Sequence, residues 1–114
     1  MPTHGHVAKF IAKPGQRDAL VAALRPMFEQ VKSEPDTLLY MMHTSPEEPN
    51  AVWFYERYRD ADAFEHHRTT KAHDEALLAI RPFLDPAEKI QVHHLELVAC
   101  KANAVLPKEV TGLA

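Results

Sequence analysis

Residues 51–59, AVWFYERYR, are so dense in aromatic and β-branched side chains that they read as a strand. Alternation puts Val52, Phe54, Glu56 and Tyr58 on one face and Trp53 and Tyr55 on the other. A strand wetted on one side alternates apolar with polar residues, and this one does not. It therefore belongs in a sheet that is covered on both faces. A chain of 114 residues holds one domain, so its own helices can cover one face and something else must cover the other.

The flanking pattern supplies those helices. Residues 4–12 alternate as a first strand, with His4, His6, Ala8, Phe10 and Ala12 on one face. Pro14-Gly15 ends it, and Leu20, Leu24, Met27, Phe28 and Val31 then recur at helical spacing over 16–33. Pro26 inside that pattern predicts a kink at 22–26. Glu34-Pro35-Asp36 stops the helix, and residues 37–44 form a second strand. The two prolines of 45–50, SPEEPN, predict an irregular turn before the aromatic strand. Asp60 is an N-cap for a second helical region that changes phase at Thr69-Thr70 and restarts over 71–80. Residues 89–99 read as a fourth strand and 100–114 as a tail, so the single domain spans 1–114 with its core over about 4–99.

The order β-α-β-β-α-β is the split βαβ, or ferredoxin-like, arrangement of the α+β class. It is a four-stranded antiparallel sheet with both helical regions on one face. The bare second face, bearing Trp53 and Tyr55, predicts a homodimer built sheet against sheet.

Composition removes several function classes. A net charge of −3 and a pI near 6.2 leave no basic stripe for nucleic acid. No apolar run approaches the ~20 residues that span a bilayer. His4, His6 and Lys9 interrupt any apolar leader, and the single Cys100 has no disulfide partner within the chain, so a cytoplasmic location is expected. With three glycines and no GxGxxG, the chain offers no phosphate cradle for a nucleotide cofactor.

The run Val52 to Asp60 followed by Ala63-Phe64-Glu65-His66-His67-Arg68 resembles the strand-helix signature of the antibiotic biosynthesis monooxygenases. Lys13-Pro14-Gly15 and the stretch Glu34-Pro35-Asp36-Thr37-Leu38-Leu39-Tyr40 resemble two further features of that family. The resemblance implies a dimeric α+β barrel and a cofactor-independent oxygenase. In such chemistry a phenol or quinol loses a proton and its anion reduces dioxygen directly, which needs a dry aromatic pocket and a base. The same resemblance assigns the base to His67, the substrate hydrogen bond to Tyr58, and to Glu56 a role in orienting His67 or pairing with Arg68. Phe54, Phe64, Phe10 and His43 are the expected substrate-lining residues. The expected partners are a small aromatic substrate, dioxygen and a second copy of the chain, with no cofactor and no metal.

Competing readings stand beside these. A histidine on the buried side of a helix also serves as a satisfied core residue, and the fold then hosts a non-catalytic dimer that binds small molecules or answers stress. His73 lies near the histidine of the family's haem-degrading members, but Ala8 and Tyr58 stand where those enzymes carry asparagine and tryptophan. Eight histidines invite a metal reading, yet parity aligns only His4 with His6, while His93 and His94 point opposite ways.

Overall fold

The computed structural model describes residues 3–101. Its strands are β1 (His4–Ile11), β2 (Thr37–Ser45), β3 (Glu48–Tyr58) and β4 (Gln91–Leu95). Its helices are α1 (Arg17–Leu24), α2 (Pro26–Lys32), α3 (Ala61–Arg68) and α4 (Lys71–Ile80), followed by a 3-10 turn at Arg81–Phe83. The sheet runs β2-β3-β1-β4 with every pair antiparallel, which is the expected split-βαβ topology of an α+β domain. The segment expected to be a tail falls almost wholly outside the described residues.

Each break in the helices has a local cause. The turn at 14–15 needs Gly15, whose φ of 78° is left-handed, and it closes with Gln16 N–H donating to the Lys13 carbonyl at 2.9 Å. Pro26 has no N–H to return to the preceding turn, so the expected kink becomes a division into α1 and α2 with Pro26 at the first turn of α2. Asp60 caps α3 by accepting from Ala63 N–H at 2.8 Å, and Thr70 caps α4 by accepting from His73 N–H at 3.2 Å.

The strand boundaries differ from the sequence reading most at the β2–β3 turn and in β4. The irregular turn shrinks to residues 46–47, because β2 runs to Ser45 and β3 starts at Glu48. Pro49 is tolerated there because the β2–β3 register shifts between Thr44 and Ser45, so the ladder asks no donor of it. β4 covers 91–95 rather than 89–99. Its one neighbour among the described residues is β1, and the ladder ends at the Gly5–Leu95 pair.

The core forms where α1 and α4 cross the sheet. Ala8, Ala12, Leu20, Leu24, Val52, Phe54 and Ile80 make one buried cluster. The helix-covered face of β3 carries Val52, Phe54, Glu56 and Tyr58, all buried. Registers place His4 beside Tyr58, His6 and Tyr40 beside Glu56, and Ala8 and Met42 beside Phe54 on that same face. Polar residues thus accumulate at one end of a layer that is apolar at the other.

Candidate functional site

The polar end lies under α3. His67 is 2% exposed, and its ring sits 5.3 Å from the Tyr58 ring and 5.4 Å from the Tyr40 ring, centroid to centroid. His73 of α4 approaches it edge-on at 5.3 Å. Nδ1 of His67 lies 2.8 Å from Oε1 of Glu34, two residues beyond α2. Glu34 also accepts from Thr37 Oγ1 at 2.7 Å and from Gln30 Nε2 at 2.8 Å. Burial alone would raise the Glu34 carboxyl, but the Gln30, His67 and Thr37 hydrogen bonds outweigh it and hold it below the usual carboxylate range. An ionised carboxylate therefore fixes the orientation of the His67 ring.

Glu56 behaves oppositely. Its Oε1 accepts from the Tyr58 hydroxyl at 2.5 Å, and burial lifts its carboxyl above the ordinary range despite that hydrogen bond and the proximity of His67. Burial and the neighbouring Glu56 raise the Tyr58 phenol as well. Tyr40 is raised by burial first and then by Glu56 and Glu34. Both phenols are held neutral, and Tyr58 donates to Glu56.

A rim of rings closes the sheet corner above Tyr58. Phe64 of α3 is half-buried, stacks on His6 at 3.8 Å and meets the Tyr58 ring edge-on at 5.3 Å. His4 and His94 complete the rim, stacked on one another at 4.1 Å. Burial, with His4 and His94 alongside, lowers the His6 imidazole to about 4. An open hollow of about 370 Å³ runs past the outer side of Glu34, lined by Asp36, Thr37, Asp60, Asp62, Ala63 and His66. Its carboxylates suit an anionic phenolate poorly.

The structure gathers His67, Tyr58, Glu56, Phe54 and Phe64 on one face of the sheet. Phe10 shares that face but packs edge-on against Phe54 at 5.7 Å, inside the apolar end of the layer. His43 pairs with Trp53 in the β2–β3 ladder and so belongs to the opposite face, which corrects its placement among the pocket residues. Arg68 bonds the exposed Glu65 at 2.9 Å rather than Glu56, because an i,i+3 partner on its own helix is nearer. Glu34, not Glu56, holds His67.

Sequence reasoning missed Glu34, Gln30 and Tyr40, and weighed His6 and His94 only as metal ligands. Gln30 and Glu34 are four residues apart, a spacing that would have aligned them had α2 not been read as ending there.

The model of the family described as antibiotic biosynthesis monooxygenase matches residues 3–77. The chain belongs to that family. Solved structures agree across nearly the whole fold. A protein from Shewanella oneidensis is similar at 27% identity and a TM-score of 0.76, over 84% of this chain and 91% of that one. A candidate antibiotic biosynthesis monooxygenase from Caulobacter crescentus is similar at 25% identity and a TM-score of 0.78, over 86% and 92%. Another candidate of that description, from Chloroflexus aurantiacus, is similar at 26% identity and 0.70, over 88% and 97%. No curated protein sequence matches the chain. Among the described residues no helix is long and apolar enough to cross a membrane.

Proposed function

We propose that the protein is a monooxygenase that oxidises a small phenolic or quinol-type aromatic with dioxygen and no organic cofactor. The observation that carries this reading is the buried His67–Glu34 pair beside the Tyr58–Glu56 pair, in an aromatic layer of a family member. With Nδ1 engaged by Glu34, the opposite nitrogen of His67 is the one left to take a proton from a substrate hydroxyl. Tyr58, whose hydroxyl here donates to Glu56, can turn that proton to the oxygen that then carries charge. Removal of the proton makes the ring electron-rich enough to reduce dioxygen. One oxygen atom enters the ring and the other leaves as water, the substrate supplying the electrons. The half-buried Phe64, stacked over His6, offers a ring at the rim on which a flat substrate can stack.

One observation favours a second reading. His67 is 2% exposed and ringed by Tyr40, Tyr58 and His73, as a satisfied core histidine is. On that reading the domain binds an aromatic molecule at the Phe64 rim without turning it over.

Oxygen uptake with 1,4-dihydroxynaphthalene separates the two. Loss of a positioned base lowers a rate by about 10²- to 10⁴-fold. His67→Gln and His67→Ala, checked for folding by melting temperature, are expected to lose at least tenfold of a wild-type rate that exceeds autoxidation. A wild-type rate equal to autoxidation would leave the binding reading in its place.

A further inference from the structure

We propose that His4, His6 and His94 form a mononuclear site for a divalent first-row transition ion, at the rim where β1 and β4 meet. This reading is independent of oxygenase activity, since metal binding alone tests it.

The backbone brings the ligands together. His4 and His6 are two residues apart on β1 and so share a face. His94 is the direct ladder partner of His6 on β4. The parity that left His93 and His94 unassigned is thereby resolved: His93 pairs with Val7 and takes the other face. One ring nitrogen from each of His4, His6 and His94 lies within 4.8 Å of the other two, and the Nε2 atoms of His4 and His6 are 2.6 Å apart. Zinc–imidazole bonds of about 2.0–2.1 Å in a tetrahedron put neighbouring nitrogens about 3.4 Å apart. That separation exceeds the His4–His6 spacing and lies within the 4.8 Å that spans the three nitrogens, so convergence asks for movements on the order of 1 Å.

The cluster is built unevenly, as a ligating site is. His6 is 6% exposed and clamped by its stack on Phe64. The His94 side chain, 43% exposed, has solvent on one side in which to turn out of its stack with His4. Nδ1 of His6 is buried without a hydrogen-bond partner. A neutral imidazole carries one N–H and one lone pair, so either tautomer of His6 leaves one of them unmatched. An ion held by Nε2 leaves Nδ1 unmatched in the same way, so the site rests on the convergence of the three rings and not on this atom. Local charge is mixed. Arg57 opposes a cation near His4, while Asp60 favours it and Glu96 sits 3.8 Å from Nε2 of His94. Three imidazoles with no thiolate suit zinc, copper or nickel rather than calcium or magnesium. Three protein ligands also leave a position for water or an oxygen ligand.

The test uses untagged, full-length protein stripped with chelator and titrated at pH 7.5 with Zn(II), and separately with Co(II) for its visible spectrum. One equivalent per chain is expected, with the intense bands of four-coordinate cobalt. His94→Ala changes an exposed edge residue and is expected to weaken binding at least about tenfold, as is His4→Gln, with the circular dichroism unchanged. His93→Ala, one residue along on the other face, is expected to bind as wild type. No tight equivalent in the wild type would overturn the site, as would unaltered affinity in both His94→Ala and His4→Gln. Equal weakening in His93→Ala would overturn it too.

Discussion

Nδ1 of His67 and Oε1 of Glu34 meet at 2.8 Å with side chains 2% and 4% exposed, joining α3 to the end of α2. Gln30 and Thr37 donate to the same carboxylate, so one side chain satisfies one buried and two half-buried donors.

Removing it should therefore cost more than an average hydrogen bond. Glu34→Ala orphans all three groups, and a loss of about 2–3 kcal/mol is expected, read as a fall of at least ~8 °C in melting temperature. The pH dependence has a definite sign. The folded carboxyl is held below its ordinary value of 4.5, so its contribution is complete above about that pH and fades as pH falls through the folded value. Wild type and Glu34→Ala should differ by a constant amount above about pH 4.5 and converge as pH falls below it. Parallel pH profiles would show that the carboxylate contributes no charge-dependent stability.

The frame of this fold was legible because periodicity is local. Alternation over 51–59 fixed which face of β3 met the helices, and Pro26, Asp60 and Thr70 marked the helix breaks through backbone chemistry that needs no neighbours. The partners of His67 and His6 were not legible for the converse reason. Glu34 lies 33 residues from His67, and His94 meets His6 only once the β1–β4 register is set. Parity places a residue on a face, but register decides its neighbour. The same limit misplaced His43, whose phase along β2 followed from the strand although its face relative to α3 did not.

Glu56 gives the opposite pH behaviour. Burial raises its carboxyl above 4.5, so the folded state holds the proton more tightly than the unfolded chain does. Its stabilising contribution is complete below 4.5 and is lost as pH rises through the folded value. Glu56→Gln keeps an oxygen to accept from Tyr58 and removes the ionisation. The variant is expected to be more stable than wild type at pH 7 by ~1 kcal/mol, with the gap closing towards pH 4. A lower melting temperature for Glu56→Gln at pH 7 would mean that the charge is needed where it stands, beside His67.

The outer face of the sheet leads to the last prediction, a homodimer that buries it. Val7, Ile11, Trp53 and Tyr55 are only half-buried there, and Met41 and Leu95 are 41% and 37% exposed. Cations partly shield the aromatic rings. Lys9 Nζ stands 4.7 Å over Trp53, and Arg57 donates to the Tyr55 hydroxyl at 2.9 and 3.1 Å. Arg57 lies across Gly5, where any Cβ would run into its guanidinium, so a flat surface is maintained beside the rings. A stable interface buries about 1,200–2,000 Å² in total, and aromatic anchors near its centre carry about 2 kcal/mol or more each. Trp53→Lys combined with Tyr55→Lys places two charges on that face and should weaken association by at least about 100-fold. Light scattering is expected to give a dimer for the wild type at micromolar concentration and a folded monomer for the double variant. A monomeric wild type would exclude the homodimer. A dimer unaffected by both lysines would move the contact to another surface and leave Trp53 and Tyr55 shielded by Lys9 and Arg57 alone.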